Sequence, residues 1–327
     1  MQSESSRVTQ PVAVAEHSLQ LLELARRVAA SDCTVLISGE SGTGKEVLAR
    51  YIHAHSPRAA QVFVAVNCAA IPENMLEAVL FGYERGAFTG AHAAHPGKFE
   101  QAQGGTLLLD EVSEMPIGLQ AKLLRVLQER EVERIGGREA LALDVRVLAT
   151  TNRVLKQDVA VGRFREDLFY RLNVFPLALL PLRARRDDIL PLAMQLLSLR
   201  CPPGTRIPAL SADAAHVLLT HVWPGNAREL DNVLQRALIL CGGAVIGAQH
   251  IQCEGTDAQA SPKALALRGA NRLARTLEDT ERDILLEAVK SSDGTRRAVA
   301  ERLGISPRTL RYKLARLRQS GVDVPAA

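Results

Sequence analysis

The stretch that most constrains the fold of this chain is a glycine-rich loop between an apolar run and a helical pattern. Residues 34–37 read Thr-Val-Leu-Ile, as in a buried β-strand, and residues 46–56 have apolar side chains at helical spacing. The backbone N–H groups of such a loop can surround a polyphosphate at the N-terminus of the helix, although the bare pattern also fits a glycine-rich surface turn. The residues predicted to bind the phosphates are Gly39, Glu40, Ser41, Gly42, Thr43, Gly44, Lys45 and Glu46.

The residue after the lysine departs from the usual phosphate loop, which has Ser or Thr there. Glu46 occupies the position, directly after Lys45, which is expected to reach the outer phosphates. A magnesium ion beside those phosphates would therefore be held by the carboxylate of Glu46, by water, or by an acidic residue from elsewhere in the chain.

Two acidic residues, Asp110 and Glu111, end the apolar stretch 104–109. In phosphate-loop ATPases, the first such acid holds Mg²⁺ and the second polarises the attacking water. Taken alone, the pair also fits an Asp that caps a following helix, but the preceding phosphate loop favours the ATPase interpretation. The sequence therefore predicts ATP and Mg²⁺ as ligands, with Asp110 as the second candidate metal ligand beside Glu46.

The strands predicted near residues 34, 62, 106 and 145 alternate with helices, which indicates an α/β fold with a parallel sheet. The strands at 62–66 and 145–149 are followed by polar residues, Asn67 in one case and Thr150-Thr151-Asn152 in the other. Because ligands bind at the carboxyl edge of such sheets, Asn67 is a further site candidate. Between the last two strands, residues 132–145 predict a hairpin that turns at Gly136 and Gly137.

From residue 181 onward the pattern is wholly helical, which predicts a helical lid domain. Helices are predicted at 188–199, at 211–221 with Ser211 as N-cap, and from Asn226 onward. Asn226 is the expected cap of the last helix, with Glu229 three residues later. The predicted domain boundaries are 1–15 for a flexible N-terminus, 16–180 for the α/β domain, 181–252 for the lid, 253–275 for a linker and 276–327 for a small all-α domain.

Residues 81–97 interrupt helical sequence with glycines, small residues and a single aromatic side chain, Phe88. This predicts a loop inserted into a helix. An aromatic side chain at a glycine-flanked tip is unfavourable in water, so Phe88 either packs back on the protein or contacts a partner.

Charge concentrates at the C-terminus, where residues 262–327 hold 14 Lys or Arg and 8 Asp or Glu, although the whole chain has a formal net charge of only +4. Three helices are predicted there, and Ser306 with Pro307 starts the third, which together predict a helix-turn-helix. Such a basic module suggests double-stranded DNA as its partner, against the alternative of a merely solvated charged face. The outward-facing candidates for DNA contact are Arg308, Thr309, Arg311, Tyr312, Lys313 and Arg316.

The five cysteines are scattered singly, which predicts neither a disulfide framework nor a zinc site. No stretch is apolar enough for a membrane helix or a signal peptide, so a cytoplasmic protein without a membrane partner is expected.

Together these motifs resemble the bacterial enhancer-binding proteins, which are the sigma-54-dependent transcription activators of the AAA+ ATPase superfamily. The sequence Gly-Ala-Phe-Thr-Gly-Ala at 86–91 matches the signature loop of that family, and 39–46 matches its phosphate loop, including Glu46. The resemblance implies an AAA+ P-loop parallel sheet with a helical lid subdomain, a Fis-type helix-turn-helix domain, and assembly into a homo-oligomer, for which a hexamer is the expected form. It also implies contact with the sigma-54 RNA polymerase holoenzyme through Gly86, Ala87, Phe88, Thr89, Gly90 and Ala91.

The resemblance assigns roles to individual residues. Glu111 would act in hydrolysis, Asn67 would restrain it, and Asp110 would hold Mg²⁺. Thr151 and Asn152 would sense the γ-phosphate, and Arg228, in the lid motif 223–230, would be a second sensor. The segment 164–172 looks like the arginine-finger segment of the family, so that Arg165 and Arg171 would reach the nucleotide of a neighbouring subunit.

Most family members carry an N-terminal regulatory domain, for which this sequence has no room, so the chain is expected either to be shortened or to be controlled differently. The expected function is ATP-dependent activation of sigma-54 transcription from an upstream DNA site. One alternative is a DNA-bound regulator that uses ATP only for assembly, which would not need the loop 86–91. Another is a ring motor threaded on DNA, which would need the basic residues that this loop lacks.

Overall fold

The computed structural model describes residues 10–202, 204–243 and 245–253 of the chain. By their contacts, the residues divide into two units, Met1–Cys253 and Glu254–Ala327. Residues 1–9 of the predicted flexible N-terminus, residues 254–275 of the predicted linker, the three predicted C-terminal helices and the six candidate DNA-contacting residues lie outside the described residues.

A five-stranded parallel sheet lies at the centre of the first unit. The strands of the described residues are β1 (Val35–Ser38), β2 (Phe63–Asn67), β3 (Gly82–Tyr83), β4 (His95–Pro96), β5 (Thr106–Asp110), β6 (Glu131–Glu133), β7 (Ala140–Ala142), β8 (Arg146–Thr151), β9 (Phe175–Ala178), β10 (Ala209–Leu210) and β11 (Val245–Ile246). The central sheet has the order β2-β5-β8-β1-β9, and three further two-stranded pairs are β3-β4, β6-β7 and β10-β11. The expected α/β fold with a parallel sheet is therefore confirmed.

Helices cover both faces of the central sheet, as parallel sheets require. The α-helices of the described residues are α1 (Glu16–Ala29), α2 (Lys45–Ala54), α3 (Glu73–Phe81), α4 (Lys98–Gln101), α5 (Ile117–Glu129), α6 (Leu155–Ala160), α7 (Glu166–Leu172), α8 (Ile189–Arg200), α9 (Ala212–Thr220) and α10 (Asn226–Cys241). On β1, Val35 and Ile37 pack with residues of α1 and α2, whereas Leu36, which lies between them, packs with residues of α3, α5 and α7. This alternation buries β1 on both sides, which is why its sequence is continuously apolar.

The four strands predicted from the sequence are present to within two residues at each end, and the predicted hairpin is the pair β6-β7. The fifth strand, β9, was not predicted. Its sequence is Phe-Pro-Leu-Ala, in which proline opposes a strand assignment, but β9 pairs only with β1 at the edge of the sheet, where proline is tolerated.

The region after residue 181 packs three helices, α8, α9 and α10, around their own apolar core. Trp223 is fully buried there, and its indole N–H donates to the carbonyl of Leu218 at 2.8 Å. The prediction that this region is wholly helical is wrong, because β10 and β11 form a small parallel pair. Each strand has two residues, which is too short to leave a periodic signal.

Ser211 caps α9 as predicted, since its hydroxyl accepts the N–H of Ala214 at 3.1 Å. The prediction that Asn226 caps α10 is wrong. Gly225 precedes the helix, and the carboxylate of Glu229 accepts the Gly225 N–H at 2.8 Å. The side chain of Asn226 instead points to the phosphate loop, which sequence spacing does not reveal.

In the described part of the chain, no helix has both the length and the apolar character that a membrane crossing needs.

Candidate nucleotide site

The predicted phosphate loop joins the end of β1 to the start of α2, at the carboxyl edge of the central sheet. Lys45 begins α2 and is only 6% exposed. Its ammonium group donates to the carbonyls of Gly39 at 2.9 Å and Glu40 at 3.3 Å, and it lies 3.2 Å from Oε1 of Glu111. The loop and the second acidic residue, which are far apart in sequence, therefore form one site.

Gly42 is a position of this loop that excludes any side chain. Its φ is +76°, in the left-handed region that favours glycine, and a Cβ placed there would lie 2.4 Å from the carbonyl oxygen of Gly225 in the lid. Gly44 also has a positive φ, +101°, but a Cβ there would meet no atom within 4 Å. The lid thus sits on the loop at Gly42 and leaves room at Gly44.

We expect Gly42→Ala to weaken ATP binding tenfold or more and to lower the free energy of unfolding by about 1–3 kcal/mol, because the lid must move away from the loop. Nucleotide titration and thermal unfolding measure the two effects. Gly44→Ala is the matched control, since it adds the same methyl group at a positive φ without the lid contact. Equal losses of ATP affinity and of stability in the two variants would show that the contact with Gly225 is not the cause of the effect.

The two acids at the end of β5 are held by different partners. One oxygen of Asp110 accepts the amide of Asn67 at 3.0 Å and the other accepts the hydroxyl of Thr150 at 2.5 Å. Glu111 has φ +53°, an uncommon conformation for a residue with a side chain, and its carboxylate accepts the N–H of Asn152 at 3.0 Å. The Glu111 carboxylate lies against Lys45, whereas the Asn67 amide is bound to Asp110.

Two contacts implied by the family resemblance take another form in this structure. Asn67 donates to Asp110, whereas the polar contacts of the Glu111 carboxylate are with Lys45 and Asn152. The hydroxyl of Thr151 is buried and faces Ser113 at 3.2 Å, because side chains alternate along β8. Its neighbour Thr150 contacts the acids, donating to Asp110 and accepting the N–H of Glu111 at 3.0 Å.

The candidate Mg²⁺ ligands fit a site completed by phosphate and water. Glu46 is exposed and pairs with Arg50, with 2.7 Å between its Oε1 and the Nη2 of Arg50. Within the described ranges, no group of three or more acidic, His or Cys side chains could hold a metal ion by itself. Mg²⁺ characteristically uses one or two carboxylates together with substrate phosphates and water, so the carboxylate of Asp110 suits this mode of binding.

The lid contacts the phosphate loop through the start of α10. The guanidinium of Arg228 donates to the Ser41 hydroxyl at 2.9 Å, and the side chain of Asn226 donates to the Ser41 carbonyl at 3.0 Å. Glu40 accepts two hydrogen bonds from Arg183, at 2.5 and 2.8 Å. Arg183, followed by the Asn226 amide, lowers the pKa of Glu40 to about 2, so this carboxylate stays ionised at neutral pH.

An apolar pocket adjoins the phosphate loop on the side away from the acids. It lies between residues 10–12, the lid helix α8 and the start of α2, with Leu192 and Leu196 from the lid, and Thr43 and Gly44 from the loop, among its lining. The sequence analysis did not predict this pocket, because its walls come from several distant segments and no single motif marks it. Its apolar lining suits a planar nucleobase attached to phosphates in the loop.

The two candidate arginine fingers are exposed at α7. Arg165 precedes α7 and pairs with Asp167 at 2.7 Å, whereas Arg171 donates to the carbonyl of Leu127 at 2.7 Å. These partners lie outside the phosphate loop and the acid pair of the same chain. Both guanidinium groups are therefore held at the surface of the chain.

The sequence predicted a loop inserted into a helix; the structure has the loop 86–91 between two separate helices, α3 and α4, on a short antiparallel stem of β3 with β4. The N–H of Gly86 donates to the carbonyl of Ala91 at 2.8 Å and closes the loop. The ring of Phe88 packs edge-on against Tyr83, with 4.9 Å between centroids, but 46% of Phe88 stays exposed. Phe88 therefore packs back in part and still presents an apolar surface.

The base of this loop is fixed to the hairpin β6-β7. Arg134 forms ion pairs with Glu84 at 3.0 Å and with Glu100 at 2.6 Å, which bracket the loop in sequence. Backbone hydrogen bonds between Ile135 and both Gly82 and Glu84 reinforce the contact. The ion pairs of Arg134 and the backbone hydrogen bonds of Ile135 thus hold the base of the loop, and within the loop Ala87 lies against Gly136 of the hairpin turn.

Comparison with known proteins identifies three domain families along the chain. The Sigma-54 interaction domain matches residues 12–178, the AAA+ ATPase lid domain matches residues 183–267, and the bacterial regulatory protein, Fis family, matches residues 276–317. Response regulator protein FleR of Pseudomonas aeruginosa is 56% identical over 97% of this chain and 72% of its own length. Regulatory protein AtoC of Escherichia coli is 48% identical over 91% of this chain and 64% of its own length.

The fold is also similar to that of a solved relative. The crystal structure of NtrX from Brucella abortus in complex with ADP has a TM-score of 0.70 and 36% identity, and covers 94% of this chain and 69% of the NtrX chain. A second NtrX structure, in complex with ATP, has the same TM-score at 35% identity, over 96% of this chain and 70% of the NtrX chain. This chain therefore belongs to the sigma-54-dependent transcriptional activators, with a nucleotide-binding AAA+ ATPase domain, a lid domain and a Fis-type helix-turn-helix DNA-binding domain.

Proposed function

We propose that this chain hydrolyses ATP to remodel the closed promoter complex of the sigma-54 RNA polymerase holoenzyme, while its helix-turn-helix domain binds double-stranded DNA upstream. The observation that carries the proposal is the place where the loop 86–91 is inserted. The loop lies in the chain between β2 and β5, and these strands end in Asn67 and Asp110, whose side chains are hydrogen-bonded in the candidate site. A movement of Asn67 or Asp110 can therefore be transmitted along the chain, through β2 on one side and β5 on the other, to the two ends of the loop.

The hydrolysis chemistry follows from the acid pair. Glu111 accepts a proton from the attacking water, and Asn152 and Lys45, which contact its carboxylate, orient it. Bound Mg²⁺ would neutralise charge on the phosphates, with Asp110 as its protein ligand. Glu46 would have to release Arg50 to serve as a second ligand, at a cost of about 0.3–0.5 kcal/mol, which is typical for an exposed pair of this spacing.

Changes in the γ-phosphate would reach the loop through polar residues at the carboxyl edge of the sheet. Thr151 at the end of β8 and Asn152 directly after it are the proposed γ-phosphate sensors, with Thr150 as the residue that transmits the change to Asp110. Asn67 is the proposed switch, since its amide can leave Asp110 and contact Glu111. Arg228 senses nucleotide from the lid, where it already contacts the phosphate loop.

Assembly completes the proposed site. The exposed guanidinium groups of Arg165 and Arg171 would reach the nucleotide of a neighbouring subunit, so that hydrolysis depends on a homo-oligomeric ring, proposed to be a hexamer. The residues proposed to read DNA are Arg308, Thr309, Arg311, Tyr312, Lys313 and Arg316, which the sequence predicts at the start and outer side of the third C-terminal helix.

Open-complex formation by the sigma-54 holoenzyme tests the proposed function. With the full chain and ATP we expect promoter opening, and with a non-hydrolysable ATP analogue we expect none, because the energy of hydrolysis drives the remodelling. The analogue is the control for assembly. Opening of the promoter with the analogue would instead favour the alternative regulator that uses ATP only to assemble.

A further inference from the structure

The buried carboxylate of Asp188, at the start of the lid helix α8, binds the segment that precedes α1 through hydrogen bonds. Asp188 is 1% exposed, and one of its oxygens accepts the N–H groups of Val14 at 2.7 Å and Ala15 at 2.8 Å. The other oxygen accepts the hydroxyl of Ser18 at 2.5 Å. Three donors from the N-terminal segment and the first turn of α1 thus share one carboxyl group.

The segment held in this way is a wall of the apolar pocket beside the phosphate loop. Gln10, Pro11 and Val12 line the pocket, and the side chain of Gln195 on α8 donates to the carbonyl of Gln10 at 2.9 Å as a second tie to the lid. Without these ties, residues 10–15 would have no polar contact with α8 to hold them over the pocket. The pocket would then open to water on that side.

The same carboxylate also faces the phosphate loop through Arg185. The guanidinium of Arg185 donates to the Thr43 carbonyl at 2.7 Å and lies 3.9 Å from the second oxygen of Asp188. Among the described residues, no acceptor contacts the buried Nε of Arg185, and burial lowers the pKa of this guanidinium. Asp188 is therefore the carboxylate that offsets the charge of the arginine holding the loop.

We infer that Asp188 is a positioning residue for nucleotide binding, which holds residues 10–15 and Arg185 in place around the base and the phosphate loop. It contacts neither phosphates nor the acid pair, so it acts through the shape of the pocket. The inference rests on the proposed placement of the base in this pocket. As a consequence, ordering of the N-terminal segment 10–15 should raise nucleotide affinity. Bound nucleotide should in turn order this segment, because coupling between two sites is reciprocal.

The variant Asp188→Ala of the full chain tests the inference. We expect the KM for ATP and the Kd for ADP to rise about tenfold, since Val14, Ala15 and Ser18 lose a charged acceptor. The kcat should stay within about twofold of wild type, because Glu111 and Lys45 keep their contacts. ADP should protect the amide hydrogens of Val14 and Ala15 from exchange in the wild type and much less in the variant.

The matched control is Asp187→Ala, which removes the same group from the exposed neighbouring residue and should leave the KM and the Kd unchanged. An unchanged KM and Kd in Asp188→Ala, or a fall in kcat at constant KM, would overturn the inference. If Asp188→Ala does not fold, Ser18→Ala decides alone, with an expected rise of about threefold in KM, and no rise would overturn it. These readouts need only the chain and nucleotide, so a failure to open promoters would refute the proposed function separately.

Discussion

ATP turnover should fall by about 10²- to 10⁴-fold when Glu111 is replaced by glutamine, which is the range that general-base catalysis supplies. The amide of Glu111→Gln can still accept the N–H of Asn152, but it cannot take a proton from water. Binding of ATP should survive, because the phosphate loop and Lys45 are unchanged. Steady-state turnover and equilibrium nucleotide binding, measured on the same preparation, check the two halves of this prediction.

A matched control for this change is Glu114→Gln, three residues further on. The Glu114 carboxylate pairs with Arg153 at 2.9 Å at the surface, and removing such a pair costs about 0–1 kcal/mol of stability, with no expected loss of turnover. Both variants lose one negative charge close to the site. Turnover by Glu111→Gln at a level near that of the control would show that Glu111 is not the general base.

The positions of the strands and their burial could be predicted from sequence wherever a strand was continuously apolar. β1 and β5 are such strands, and the helices on both faces explain the composition. β9 has a proline and only one buried residue, so its place is decided by pairing with β1 rather than by its own composition. The pair β10-β11 depends in the same way on tertiary contacts that a two-residue stretch does not encode.

The candidate site could be predicted where one motif carries several contacts, as in the phosphate loop and the acids at 110 and 111. The predictions for which the structure shows a different contact, those for Thr151 and Asn226, depend on the direction of a side chain. Thr150 and Thr151 are neighbours of the same type, and only the pleat of β8 sends the first toward Asp110 and the second toward Ser113. Asn226 has the composition of a helix cap, but the fold turns its side chain to Leu182 and the phosphate loop.

The base pocket and Asp188 show a second limit of prediction from sequence. Residues 10–12, α2 and α8 meet only after the lid has docked, and an Asp among several charged residues gives no sign that it is buried. Two of the three groups that donate hydrogen bonds to it are backbone N–H groups, which every residue except proline offers, so side-chain patterns give little sign of the contact.

The proposed function makes the loop 86–91 the contact with polymerase, so substitutions at its tip should abolish open-complex formation altogether. Phe88→Ala removes an apolar side chain that is half-exposed and in contact with Tyr83, so the expected loss of stability is only about 0.5–1.5 kcal/mol. ATP turnover and DNA binding should be unchanged, because the ion pairs of Arg134 fix the base of the loop independently of its tip. Met75→Ala is the control, since it truncates another exposed apolar side chain near the loop.

Thr89 provides the finer test, because its hydroxyl and its methyl group can be removed one at a time. Thr89→Val keeps the shape and loses the hydroxyl, whereas Thr89→Ser keeps the hydroxyl and loses the methyl group. If the tip binds the sigma factor, at least one of the two should weaken the complex trapped with a transition-state analogue of ATP hydrolysis, at unchanged turnover.

If Phe88 were instead a packed core residue, Phe88→Ala would lower the melting temperature and the ATPase rate together. Normal promoter opening by Phe88→Ala and by both Thr89 variants would refute the remodelling role of the loop. The reason is that Phe88 supplies the exposed aromatic surface of the tip and Thr89 supplies its hydroxyl.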